Sequence, residues 1–218
     1  MKRTQNVTRG MEFTEVGASN LTIPKCDHCE AGNMSKLGHQ IILPLGRPDQ
    51  VLKVIYLDTF GKMSVPAFLT GEQHASCIID GGSKLGAWIG AKKKSDMFDN
   101  LMQYVSSCKA LCNSFDGTNF TIDIIVSDLG GENGGQMQEM GFAGPLDYKW
   151  QKFQTDCKVA RFFTVKGSKN QMPLLDNFIF CIARSARRAI DHAEKPIFMW
   201  LIVCQYMCVV WNRFCHAT

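Results

Sequence analysis

The chain has 218 residues, 45% of them hydrophobic and 20% charged, with fourteen Phe and four Trp. That is enough apolar content to bury a core unaided, which excludes intrinsic disorder and suits one or two domains. The net charge is +4, and the whole excess is C-terminal: residues 166–218 hold 7 Lys/Arg against 3 Asp/Glu, while residues 1–165 are balanced. Such a tail is compatible with a polyanionic partner but is also ordinary for a helical surface.

Residues 1–48 are polar and broken by Gly and Pro, and read as a small arm. Its one site-like spacing is Cys26-Asp27-His28-Cys29. The first residues lead into no apolar run, so no signal peptide is expected. The other eight of the ten cysteines lie mostly in apolar runs, as free buried thiols in a reducing compartment do. An intracellular protein is the resulting expectation.

From residue 49 the texture changes to that of an α/β core running to 215. Val51 to Leu57 is a β-branched run ending at Asp58, with Gly61 as the stop. Ala75 to Asp80 and Leu85 to Gly90 predict two more strands joined by Gly81-Gly82. Ser95 is placed to cap a helix over Asp96 to Cys112, whose apolar residues recur at helical spacing. Phe120 to Val126 predicts a fourth strand, ending at Ser127-Asp128 before Gly130-Gly131. A short helix is expected around Lys149 to Cys157 and a fifth strand over Val159 to Val165. Leu175, Ile179, Ile182 and Ala186 then form a helical stripe. The last helix runs from about Pro196 to Arg213. Its apolar run, Pro196 to Trp211 interrupted by Gln205, is shorter than the ~18 residues of a membrane span and reads as buried. Three strands, helix, strand, a variable piece, strand, helix, helix describe a mixed sheet rather than an alternating doubly wound one.

Two strands end in aspartate, Asp58 and Asp128. If those strands are neighbours, two carboxylates meet, and they repel unless a cation lies between them. Mg²⁺ or Mn²⁺, hard ions with oxygen ligands, suit such a pair and support phosphoryl transfer. Asp at a strand end is also common simply because it favours turns.

The string Ser127-Asp128-Leu129-Gly130-Gly131-Glu132-Asn133 adds specificity. With Cys26-Asp27-His28-Cys29, Tyr56-Leu57-Asp58-Thr59, Ile79-Asp80-Gly81-Gly82-Ser83, Lys92-Lys93-Lys94-Ser95 and Val210-Trp211-Asn212-Arg213, it keeps a fixed order over most of the chain. In these blocks the chain resembles the integrase core of copia-type long-terminal-repeat retrotransposons. The resemblance implies a ribonuclease-H-like fold: a mixed five-stranded sheet flanked by helices, preceded by an incomplete zinc-finger-like arm. It implies an acidic metal triad binding two Mg²⁺ or Mn²⁺ ions, with 3'-end processing and strand transfer on duplex DNA. By position the triad is Asp58, Asp128 and Asp176, the last standing where the family has Glu, after an interval longer than the family's.

Cys26 and Cys29 match the cysteine half of the family's Zn²⁺ site, but no histidine precedes Cys26. Lys166, Lys169, Arg184 and Arg187 would contact phosphates. The resemblance further implies a nuclear site of action if the domain is active, origin in a longer polyprotein, no membrane partner, and self-association as an open property. Two alternatives stand beside it: an inactive nucleic-acid-binding remnant of this fold, and a ribonuclease-H-like nuclease.

Overall fold

The computed structural model describes residues 50–116, 121–128, 145–164 and 172–213. Strands β1 (Val54–Phe60), β2 (His74–Asp80) and β3 (Gly86–Ala91) come first, followed by helix α1 (Met97–Asp116). Then come β4 (Ile124–Ser127), α2 (Pro145–Cys157), β5 (Ala160–Phe163), α3 (Pro173–His192) and α4 (Trp200–Arg213). The five strands form one sheet in the order β3-β2-β1-β4-β5. β1, β2 and β3 pair antiparallel, whereas β4 and β5 continue parallel to β1.

Val54 to Leu57 are all buried because β1 lies mid-sheet with helices on both faces, the setting in which a strand can be apolar without alternation. On one face α3 and α4 pack against Val54, Tyr56, Cys77, Ile79, Trp88 and Val126. On the other, α1 and α2 pack against Ile55, Leu57, Ile78 and Ile125, with Trp150 fully buried. Gly86 sets how closely α3 approaches: a Cβ there would come within 2.5 Å of the Phe178 ring.

Turns follow from individual residues. Asp80, fully buried at the end of β2, accepts the Leu52 N–H at 2.9 Å on one oxygen. Its other oxygen accepts the Ser83 N–H at 2.7 Å and the Ser83 hydroxyl at 2.6 Å. One carboxylate thus pins both the β2–β3 turn and the approach to β1.

Two local expectations need correction. β1 continues to Phe60, paired with Ala75, so Asp58 lies inside the strand rather than at its end. The chain turns only at Gly61, whose φ of +75° suits glycine. Ser95 does not cap α1. It sits within a 3₁₀ turn, Lys94–Asp96, that leads into α1, and Asp96 braces that turn by accepting the N–H groups of Lys92 and Lys93, both at 3.0 Å.

Candidate metal and nucleic-acid site

The parallel pairing of β1 with β4 fixes the central feature. Leu57 lies opposite Ser127, and one step along stand Asp58 and Asp128, on strands that run ~4.8 Å apart. Alternation gives both the same side: Asp58 follows Val54 and Tyr56, and Asp128 follows Ile124 and Val126, residues that face α3 and α4. Both aspartates are half-buried. The juxtaposition expected from sequence is therefore present, although Asp58 reaches it from within its strand and Asp128 from just beyond β4.

The surroundings of Asp58 are partly apolar. Its Oδ1 accepts the Thr59 backbone N–H at 2.7 Å. Across the antiparallel ladder it is paired with Cys77. Burial pushes the Cys77 thiol up, and the negative charge of Asp58 adds to the effect, as do Cys204 and Cys208. Phe60 and Trp88 meet at 4.9 Å beside this pair. One alternation below Asp58, the Tyr56 hydroxyl is buried with no hydrogen-bond partner among the described residues, and burial raises its pKa. Composition gave no reason to single out Tyr56; the alternation along β1 that places it under Asp58 is the only signal for it.

Asp176 lies in the first turn of α3, exposed, its N–H donated to the Met172 carbonyl at 2.9 Å. Leu175 and Phe178 anchor this helix on the face that carries Asp58. Partial burial raises the Asp176 carboxyl above its ordinary value. Among the described residues no three His, Cys, Asp or Glu side chains form a group that could hold a metal ion, so the three aspartates are not drawn into one cluster. The Asp58–Asp128 pair alone has the chemistry for a hard divalent ion: anionic oxygen donors on neighbouring strands whose mutual repulsion a cation would relieve.

Further along α3, Arg184, Arg187 and Arg188 give the helix a basic stretch, with the Arg184 guanidinium 5.4 Å from the Phe180 ring. Arg187 is exposed. Lys166, Lys169, Cys26 and Cys29 lie outside the described residues. No helix among the described residues is long and apolar enough to cross a membrane.

No protein-family model matches the sequence, and no curated protein matches it. Among solved structures the chain is similar to the intasome of simian T-cell lymphotropic virus in complex with PP2A regulatory subunit B56 gamma. The TM-score is 0.52 at 12% identity, covering 84% of this chain and 56% of that one. It is also similar to the HTLV-2 integrase catalytic core domain in complex with magnesium. The trimeric form gives a TM-score of 0.45 at 12% identity over 72% of this chain and 84% of that one, and the dimeric form 0.44 at 12% over 72% and 86%. The chain spans little more than half the length of the intasome chain it matches. At such identity the likeness shows the fold alone: a mixed five-stranded α/β sheet flanked by helices, of integrase-core type.

Proposed function

We propose that residues 49–215 are the catalytic core of a DNA integrase from a copia-type retrotransposon, acting on duplex DNA. The observation that carries this reading is the Asp58–Asp128 juxtaposition on one face of an integrase-type sheet. Asp58 and Asp128 would hold two Mg²⁺ or Mn²⁺ ions, with Asp176 as third ligand from α3. When bound, such ions stabilise the attacking and leaving oxygens of an in-line displacement at phosphorus. The protein's own part is to fix the two carboxylates by strand register and to keep one side of Asp58 dry through Cys77, Phe60 and Trp88. Arg184 and Arg187, with Lys166 and Lys169, would hold the DNA phosphates and set register without reading sequence.

The same reading places residues 1–48 as an arm in which Cys26 and Cys29 contribute to a Zn²⁺ site, a polyprotein as the source, and the nucleus as the site of action. A second reading, an inactive nucleic-acid-binding remnant, is favoured by one observation: Asp176 does not join the other two carboxylates.

Nicking and strand transfer on labelled duplex ends with Mn²⁺ tests both. Activity in wild type that is lost in Asp128→Asn marks a working integrase core with an Asp third ligand. Inactive wild type with activity gained in Asp176→Glu marks a scaffold disabled at one carboxylate. Silence in all three folded proteins supports the remnant. Hydrolysis of RNA–DNA hybrids without strand transfer would instead point to a ribonuclease-H-like nuclease.

A further inference from the structure

Helix α4 buries one side and leaves the other open. Trp200, Leu201, Cys204 and Cys208 point into the core. The outer side presents Ile202, Tyr206 and Val209, which are 45%, 63% and 48% exposed. Their spacing of four and three residues puts them on one ridge, and Phe198, one turn earlier, extends it. No residue from 196 to 212 is charged. At about 200 Å² for a large side chain, the ridge leaves roughly 400 Å² of apolar surface open, a patch of the size that marks a contact site.

The chain that leads into the core arrives at one end of this ridge. Leu201 packs on Gly90, while Gly86 donates its N–H to Asn212 Oδ1 at 2.8 Å, so α4 runs back along β3 toward the β2–β3 turn. Trp211 Nε1 holds it there by donating to the Lys84 carbonyl at 3.1 Å. The Gln50 carbonyl lies against Gly82 of the same turn, too close for any Cβ. Shortly upstream of Gln50 stands Ile41-Ile42-Leu43-Pro44-Leu45, the longest apolar run in residues 1–49 and likewise uncharged. Gly46 to Asp49 can span up to ~14 Å, enough to carry the run from the turn onto Val209. Five extended residues cover ~17 Å, and the helical rise from Phe198 to Val209 is also ~17 Å. Pro44 favours extended backbone at Leu43 before it.

We propose that residues 41–45 dock on the outer ridge of α4 within the same chain and so tie the arm to the core. This run is the fitting occupant because it is tethered a few residues from the ridge. Its effective concentration there is roughly millimolar, well above that of a free partner, and neither surface has a charge to desolvate. Cys26 and Cys29 lie upstream of the docked run, so the contact fixes the point from which the rest of the arm departs. The proposal is independent of the integrase reading, since it needs neither metal nor DNA.

Photo-cross-linking of the full chain tests it, with Leu43 replaced by p-benzoylphenylalanine and the products mapped by mass spectrometry. The cross-link should fall within residues 198–209 of the same molecule, in a product of one chain mass, 24.4 kDa. Ile202→Glu and Tyr206→Glu, with unchanged circular dichroism, should each cut its yield by about tenfold, the effect of ~1.4 kcal/mol lost at the contact. Tyr148→Glu, at an exposed aromatic on α2, should leave the yield intact. In a second measurement Leu43→Asp, which lies outside the core and leaves its fold in place, should raise the fluorescence of added anilinonaphthalene sulfonate several-fold as the ridge is uncovered. Cross-links to other parts of the core, a product of twice the chain mass, or dye binding unchanged in Leu43→Asp would each overturn the proposal.

Discussion

Single carboxylates carry much of this molecule, and their environments separate their roles. Asp80 is fully buried and accepts three hydrogen bonds, two of them from backbone N–H groups. Removing it leaves those donors unpaired inside the fold, so Asp80→Ala should destabilise the protein by about 3 kcal/mol in urea titration. A change below about 0.5 kcal/mol would mean water replaces the carboxylate freely. Asp176 behaves in the opposite sense. Partial burial raises its carboxyl above the ordinary 3.8, so the folded chain holds that proton more tightly than the unfolded chain. The associated stability is complete below pH 3.8 and is lost as the pH climbs through the folded value. Asp176→Asn should therefore melt slightly above wild type near neutral pH and together with it in strong acid. A lower melting temperature near neutral pH would reveal a favourable partner for the ionised group. Sequence could mark Asp58, Asp128 and Asp176 as candidates. It could not distinguish the structural Asp80 from the candidate metal ligands Asp58 and Asp128, because each closes a β-branched run shortly before a glycine.

At the level of elements, the order of strands and helices was legible because each is strongly patterned. Boundaries were not, because neighbours decide them. β1 reaches Phe60 only because β2 offers Ala75 as a partner, and Ser95 is taken into a 3₁₀ turn that Asp96 braces through the Lys92 and Lys93 N–H groups. The β3 edge shows the same dependence on distant residues. Gly86 donates its N–H to Asn212 Oδ1 at 2.8 Å, and its carbonyl accepts from Asn212 Nδ2 at 2.8 Å. A side-chain amide from α4 thus stands in for a missing neighbouring strand and protects an edge that would otherwise invite pairing. Trp211 Nε1 adds a bond to the Lys84 carbonyl at 3.1 Å. Asn212→Ala should cost about 1–2 kcal/mol and raise the tendency to aggregate on mild heating, read by turbidity. An unchanged turbidity curve would show that α4 covers the edge sterically without the amide.

Taken as a whole, the molecule is a sheet whose two faces are closed by different helix pairs, and its thiols report on that closure. Cys77, Cys108, Cys204 and Cys208 are buried, whereas Cys157 is exposed. Burial pushes the Cys204 thiol up to about 12 and the Cys208 thiol up to about 11. Neither is a ready nucleophile near neutral pH. Iodoacetamide labelling resolved by mass spectrometry should therefore modify Cys157 in the native protein. The four buried thiols should react only at the denaturant concentration of global unfolding. Earlier reaction of Cys204 and Cys208 than of Cys108 would show that the α3–α4 layer opens by itself. The fold class was legible in the order of elements. The relation of Asp176 to the other carboxylates was not, because it depends on how a helix is set over the sheet, and no local pattern encodes that placement.

The parallel register of β1 and β4 has a consequence for how such a chain can change over generations. Asp58 and Asp128 are neighbours because Leu57 sits opposite Ser127, a ladder that no insertion outside the two strands can shift. Asp176, by contrast, is separated from Asp128 by 47 residues of intervening chain, whose length and course affect where its helix starts. Mutational drift by insertion therefore falls unevenly: it spares the pair and acts on the third acid. Insertion in that interval would displace Asp176 first, while the spacing between positions 58 and 128 holds as long as the β1–β4 register does.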